Sequence, residues 1–523
     1  MISTHHRLLS GNEAVAQAAL DMGVALGAGY PGTPSTEILE NFSALGGVAQ
    51  WSPNEKVALE VALGAAFAGA RAIATMKHVG LNVAADPLFT AAYTGVSGAL
   101  VVISADDPGM ASSQNEQDNR RYAVAAGVPM LEPADSQEAY DMMVAGLEMS
   151  ARWKIPVLLR MTTRVSHSKT RVARHPPKEK APAPTFVRDI KGRVMIPAYA
   201  RPAHVRLRAK LAELAQFSET SHFNRIIPGG PALGIISSGI AAIHAHEAAH
   251  DASFLRLGMT HPLPLNLIRR FAESVQRCIV IEEGDPFLVD AIRAAGIQVE
   301  GKPDVFRFGE LSVARIRRIL KGDTSPEFKA PPGKPPQLCL GCPHRVTFEA
   351  LRKLDCIVSG DIGCYTLGVL PPFEAMDSCV CMGASITVGL GLRHVLPPDQ
   401  ARRVVSVIGD STFVHSGITG LVEMVYNPPA TGHVVIIVDN GTTAMTGLQD
   451  HPGTGRKLSA EPAHRISFED MARAIGVPNV HVVDPMKDVA GYEKLLADSL
   501  ASNQLVLIIA RRPCLLAVKK NKE

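Results

Sequence analysis

The chain has 523 residues, enough for three or four domains at about 150 residues each, which excludes a small binding module. Its 53 Lys and Arg against 50 Asp and Glu leave a formal charge of +3, with 20% of residues charged, and this excludes the basic field that holds nucleic acid. With 44 Gly, 37 Pro, 46% hydrophobic and 5% aromatic residues, the composition is that of a turn-rich α/β protein with aliphatic cores, and it rules out disorder and fibres.

The first third alternates helices and strands. Ser10-x-x-Glu13 is a capping box that opens a helix to about Leu26, and Asp135-x-x-Glu138 opens another to about Met149. Between them residues 99–104 form a continuous apolar run, as expected of a strand covered on both faces in a parallel sheet, and 155–161 form another. Residues 1–170 are therefore expected to be one α/β domain. The stretch 171–191, rich in Pro, Lys and Arg, reads as linker within a linker and helical connection over 171–227. Strands at 233–238, 254–257 and 277–282 alternate with helices at 241–250, 265–275 and 286–295, a βαβαβα module over 228–328. A Pro/Lys tract at 329–336 precedes the third α/β segment, 337–523, with strands at 403–408, 433–438 and 504–509. The expected fold class is α/β, three consecutive parallel-sheet domains. No uncharged apolar run reaches the roughly 18 residues of a membrane span, because Glu60 and Arg71 break the best one at 57–76. Residues 1–9 carry no export segment, so the expectation is a cytoplasmic protein with no membrane span and no nucleic-acid partner.

The chemistry concentrates at two strand ends. Gly409-Asp410-Ser411 follows Val404 to Ile408, and thirty residues after Asp410 the strand through Asp439 ends at Asn440-Gly441-Thr442. Ligands of open parallel sheets bind at that edge. The Asp410 carboxylate, the Asn440 side-chain oxygen and the main-chain carbonyl of Thr442 make a hard oxygen set suited to Mg²⁺, and Gly409 and Gly441 let the backbone approach phosphates. Singly, each motif is an ordinary turn; their joint position after two Val/Ile strands is what argues for a ligand.

Here the sequence resembles the thiamine diphosphate enzymes, with Ser411 in place of the usual third residue of their Gly-Asp-Gly motif. That resemblance implies a cofactor-binding set of Gly363, Met382, Gly383, Gly409, Asp410, Ser411, Asn440 and Thr442, with Met382 propping the thiamine; simple packing is the alternative for Met382. Thiamine chemistry also needs a carboxylate against the aminopyrimidine N1′, and it must come from a different α/β layer. Glu55, opening an Ala/Gly-rich helix, is the candidate, with Glu60 behind it; an acid that merely stabilises the helix dipole is the alternative.

A narrower likeness covers nearly the whole chain. Tyr30-Pro-Gly-Thr33-Pro, Asn54-Glu55-Lys, Cys339-Leu-Gly-Cys342-Pro-His344, Ser359-Gly-Asp-Ile-Gly-Cys364 and Gly409-Asp-Ser-Thr-Phe-Val-His415 together resemble the large (α) subunit of indolepyruvate ferredoxin oxidoreductase, in the 2-oxoacid:ferredoxin oxidoreductase superfamily. The resemblance implies a transketolase-like fold and oxidative decarboxylation of aryl pyruvates with coenzyme A to aryl-acetyl-CoA and CO₂. It implies as partners a small, γ-like (β) subunit, ferredoxin or another electron acceptor, and a homodimer of large subunits in an α2β2 assembly. Within it, Thr33 matches a threonine that hydrogen-bonds the 2-oxoacid carboxylate.

Arg120 or Arg121 could add a bidentate charge partner, unless they line a solvated helix face. His415 and His78 are candidate acids or bases, unless they are structural. Eight cysteines are too few for a disulfide scaffold. Cys339, Cys342, Cys364 and Cys514 match the positions at which the superfamily holds one proximal 4Fe-4S cluster, with structural zinc or unligated thiols as alternatives; Cys278, Cys356, Cys379 and Cys381 read as small buried hydrophobes. Nine residues follow Cys514, so the family's common C-terminal ferredoxin-like domain is expected to be absent. The competing activity is a non-oxidative thiamine-dependent 2-oxoacid decarboxylase or carboligase.

Overall fold

The computed structural model describes residues 6–175, 183–327 and 336–520 and divides into two compact units, Met1–Phe328 and Lys329–Glu523. Most of the 329–336 tract lies outside the described residues.

In the first unit the seven-stranded sheet runs in the order Met259–His261, Met130–Leu131, Val157–Thr162, Ala99–Asp106, Arg71–Lys77, Leu26–Gly29, Ala49–Trp51. All neighbours are parallel except the first pair. Ala99–Asp106 is buried at every position, as its unbroken apolar run requires of a central strand. Burying each such Val, Leu or Ile side chain contributes about 1.5–3 kcal/mol. The capping box forms as expected, Glu13 N donating to Ser10 Oγ and Ser10 N to Glu13, but its helix is Gly11–Asp21. Gly23, at φ +64°, turns the chain into the strand that begins at Leu26, so the helix stops short of that residue. The second helix, Ser136–Trp153, outruns its expected end.

A four-stranded sheet, in the order Cys278–Ile281, Gly230–Ser238, Ala252–Leu257, Asn224–Ile227, supplies the rest of the first unit. The segment that builds it also lends Met259–His261 to the seven-stranded sheet, and Glu132 N donates to Gly258 O at 2.8 Å. The expected linker begins too early: Lys169–Ala173 is a strand, antiparallel to His6–Ser10. The 24-residue helix Pro197–Thr220 forms the helical connection.

The second unit is one parallel sheet, in the order Ser378–Cys379, Ile357–Gly360, Val404–Gly409, His433–Asp439, Leu505–Arg511, Asn479–Val483. Alternate residues of its two central strands fill opposite faces. Val405, Val407, Val434 and Ile436 pack with Phe348 and Leu351, while Ile408, Val435 and Ile437 pack with Ile386 and Leu421. The strand ending at Gly409 thus lies directly beside the one ending at Asp439.

Candidate active site

Asp410 follows its strand with a buried carboxylate. Oδ1 accepts the Ser411 amide at 2.9 Å, Oδ2 accepts the Gly441 amide at 2.8 Å, and His451 Nε2 stands 3.3 Å from Oδ2. Burial pushes this carboxyl up, but His451 and the two amides outweigh it and hold the group below its ordinary range. Asp439, one strand over, is driven up by burial and by the Asp410 charge, although Arg511 Nε donates to it at 2.6 Å. Asn440 Oδ1 accepts the Thr442 amide at 3.1 Å, and Nδ2 donates to His344 Nε2 at 3.3 Å. Burial pushes His344 down to about 4, so it is neutral and accepts at that nitrogen. The hydroxyl of Thr443 reaches Ser411 Oγ at 2.8 Å and ties the two strand ends a second time.

Asp361, at the end of the neighbouring strand, accepts the amides of Ile362, Gly383 and Ser385, each at 2.9 Å. It thereby seats the first turn of helix Ala384–Val395 and draws Met382 to the same edge. Gly383, at φ +87°, lies against Ser416, where an added Cβ would stand 2.5 Å from the serine Cβ. The Tyr365 ring closes on both Gly363 and Gly409, leaving 2.4 and 2.7 Å to a Cβ at either position. His415 is buried, with Nδ1 2.7 Å from Ser416 Oγ. The space in front of Gly441, at φ +72°, is open.

Cys339, Cys342, Cys364 and Cys514 come from three separate stretches of sequence and line one cavity of about 80 Å³, together with His344 and Asn440. The Cys514 amide donates to the Asn440 carbonyl at 2.9 Å. Burial first, then the neighbouring cysteines, push the Cys342 and Cys364 thiols up to about 11. Among the described residues no three His, Cys, Asp or Glu side chains are grouped tightly enough to hold a single metal ion. Cys278 is buried and Cys356 and Cys379 are half-buried, but Cys381 is exposed and is not the buried hydrophobe expected of it.

In the first unit Thr33, Glu55 and His78 follow three adjacent strands, Leu26–Gly29, Ala49–Trp51 and Arg71–Lys77, at one sheet edge. Asn54 caps the helix Glu55–Phe67 through Val57 N at 2.9 Å, so Glu55 is not needed as the cap. The Glu55 carboxylate is buried against Gly80, where an added Cβ would stand 2.6 Å from Oε1. Glu60 is exposed and paired with Lys56, which removes it as the alternative acid. His78 is fully buried; burial, then the Lys77 charge, push it down to about 4. Its Nε2 lies 3.2 Å from Asn115 O, and Nδ1 has no hydrogen-bond partner among the described residues.

Arg120 is not a free carboxylate binder. Nε and Nη2 grip Asp118 at 2.8 and 2.7 Å, Nη1 grips Glu282 at 2.7 Å, and Nη2 also reaches Glu283 O at 3.1 Å. Four of its five N–H donors are thus spent inside the fold, and the side chain is buried. Arg121 is exposed and donates to Pro286 O at 3.1 Å. The sequence reading missed His451, Asp439 and Asp361. Asp361 carried the same signal as Asp410, an acid directly after an apolar strand; His451 carried none.

Residues 361–510 match the family model for the thiamine pyrophosphate enzyme C-terminal TPP-binding domain, and residues 17–217 match that for the thiamine diphosphate-binding part of pyruvate flavodoxin/ferredoxin oxidoreductase. Indolepyruvate oxidoreductase subunit IorA of Archaeoglobus fulgidus is 40% identical, with 97% of this chain and 86% of that protein covered; its counterpart from Pyrococcus horikoshii is 37% identical over the same shares. In fold, 61% of the chain superposes on 65% of a 2-oxoglutarate:ferredoxin oxidoreductase chain from Magnetococcus marinus, with a TM-score of 0.52 at 18% identity. The chain belongs to the family of indolepyruvate oxidoreductase subunit IorA and is an oxidoreductase of the thiamine diphosphate-dependent kind.

Proposed function

We propose that the chain is the catalytic large subunit of an aryl-pyruvate oxidoreductase: aryl pyruvate and coenzyme A give aryl-acetyl-CoA, CO₂, a proton and two electrons. Thiamine diphosphate, when bound, supplies the centre that stabilises negative charge on the former carbonyl carbon. Asp410, Asn440 and the Thr442 carbonyl would hold Mg²⁺, which would bind the diphosphate. Their oxygens are of the hard kind that Mg²⁺ takes, the Asp410 carboxyl stays ionised, and the open space at Gly441 leaves room for phosphate oxygens. Gly363, Gly383, Gly409 and Ser411 would form the surrounding backbone cradle, and Met382 would pack on the cofactor.

Glu55 holds a proton at the pyrimidine N1′; its burial against Gly80 keeps water away from that proton. Thr33 hydrogen-bonds the substrate carboxylate. His78, neutral and with its Nε2 proton given to Asn115 O, presents the Nδ1 lone pair as a proton acceptor, and His415 is the second candidate for the same role. A 4Fe-4S cluster on Cys339, Cys342, Cys364 and Cys514 would supply a one-electron acceptor, and a small subunit and a ferredoxin-like acceptor would complete the assembly.

One observation carries the oxidative reading over the decarboxylase or carboligase: the four cysteines line a single cavity that also reaches Asn440 of the magnesium set. The test is iron and labile sulfide on anaerobically purified protein, with turnover of aryl pyruvates and CoA measured against a viologen dye. Four irons per chain and CoA-dependent dye reduction are expected; an iron-free preparation that still releases CO₂ at full rate would make the enzyme a decarboxylase.

A further inference from the structure

The seven-stranded sheet has a cavity at its other edge. Opposite the end that bears Thr33, Glu55 and His78, the turns that lead into strands Arg71–Lys77, Ala99–Asp106 and Val157–Thr162 face an open cavity of about 660 Å³, bounded by helices Ala85–Thr94 and Pro197–Thr220 and by residues 183–193. That volume falls among those of nucleotide-sized ligands. The seven residues of Arg71–Lys77 put about 20 Å of sheet between it and His78.

Five cationic side chains line the cavity, Lys154, Lys191, Arg193, Arg206 and Lys210, against one carboxylate, Asp189. Asp189 Oδ1 is already used, accepting the Gly192 amide at 2.9 Å. Glu213, the other acid that faces Lys210, accepts Trp153 Nε1 at 3.2 Å. Arg193 and Lys210 are half-buried, while Lys154, Lys191 and Arg206 are exposed. Lys210 Nζ donates to Lys154 O and Lys154 Nζ to Ser97 O, both at 2.9 Å, and the Arg193 guanidinium lies 4.2 Å from the Phe67 ring centroid and bonds Ser97 Oγ. Arg193 Nη1 is buried with no hydrogen-bond partner among the described residues. Burial lowers the pKa of both Lys210 and Arg193 and outweighs the opposing charges of Glu213 and Asp189. The rest of the wall includes Tyr93, Val96, Val187 and Leu207, a surface for a flat apolar group.

We propose that this cavity binds a nucleotide with two or more phosphates, its phosphates among Lys154, Arg193 and Lys210 and its base on the apolar wall, as a ligand separate from the thiamine chemistry. Phosphate oxygens would pair with these cations and offset five like charges gathered at one place.

The test is calorimetric titration of the full-length chain with ADP, with thiamine diphosphate and Mg²⁺ in excess so that the diphosphate site at Asp410 is filled. One ADP per chain is expected, weaker at higher salt, with inorganic pyrophosphate at least several-fold weaker because it leaves the apolar wall bare. Arg193→Gln and Lys210→Gln should each weaken ADP by about tenfold, the loss of one charge-assisted hydrogen bond. Asp189→Asn, which keeps the helix cap because Asn caps as well as Asp, should tighten it several-fold and guards against variants that merely fold badly. No ADP binding up to millimolar concentration, or binding indifferent to all three substitutions, would overturn the proposal. So would a small-subunit interface weakened by Arg193→Gln in a chain that ignores ADP, which would give the face to a protein partner.

Discussion

The Gly441 amide donates to Oδ2 of Asp410 at 2.8 Å, and this bond joins the ends of two neighbouring parallel strands through a single buried carboxylate. The residue proposed to ligate Mg²⁺ is therefore also the clamp that sets the Asn440–Thr442 turn. Asp410→Ala should abolish Mg²⁺-dependent thiamine diphosphate binding, a loss of at least a hundredfold by titration with and without the metal. It should also lower stability by about 1–3 kcal/mol, because the Gly441 amide and His451 lose their acceptor. Tight metal-dependent binding retained by the variant would remove Asp410 from the magnesium set.

Glu55 and Gly80 make a second, independent pair. Glu55→Gln keeps the shape of the side chain but not its charge, so cofactor loading should persist while turnover falls by about 10²–10⁴-fold. Gly80→Ala brings a methyl group to 2.6 Å from Oε1 and should displace the carboxylate, lowering kcat with cofactor affinity little changed. Unchanged turnover in Glu55→Gln would end its assignment as the pyrimidine acid.

The strand edges were legible because Val/Ile runs followed by Gly-Asp or Asn-Gly report locally what the backbone does: it runs buried, then turns. The four cysteines were legible through the family likeness, and their shared cavity is a fact of the fold. What was not legible involved partners far along the chain. Arg120 looked like an available guanidinium because nothing near it in sequence names Glu282, 162 residues away, as its partner. Cys381 looked buried because its neighbours are apolar, yet it lies on an exposed turn before Gly383. The strand at Lys169–Ala173 carries an ordinary polar sequence and exists because His6–Ser10 pairs with it.

That difference between Arg120 as substrate ligand and as internal strut is measurable. Arg120→Met takes the guanidinium from buried Glu282 and from half-buried Asp118, which then has Arg160 at 4.0 Å, and the cost expected is about 3–5 kcal/mol in urea unfolding of the first unit. A variant of normal stability whose only defect is a raised KM for the 2-oxoacid would return Arg120 to the substrate.

If the cysteine cavity holds a cluster, Cys514→Ser should cut iron and sulfide content and bleach the visible absorption while leaving thiamine diphosphate binding within about threefold of the parent, since Asp410 and Asn440 keep their places. Dye reduction should fall with the iron. Full iron content in both Cys514→Ser and Cys342→Ser would show that these thiols are not ligands.

His261 provides a pH signature of the first unit. Burial alone pushes it down to about 4, against about 6.5 for an unfolded histidine. Between those values the unfolded chain binds the proton and the folded chain does not, so stability rises with pH across the window; the contribution is complete above about 6.5 and is lost as pH falls toward 4. Its ceiling is about 3 kcal/mol, since each tenfold difference in proton affinity between the folded and unfolded chain contributes about 1.4 kcal/mol. His78, also held near 4, adds a limb in the same window, so the measurement must be a difference. The urea midpoint of the parent minus that of His261→Asn should shrink as pH is lowered from 6.5 to 4 and stay constant above pH 7. A difference independent of pH would mean that the imidazole binds its proton equally well in the folded and unfolded chains, so that burial does not depress it.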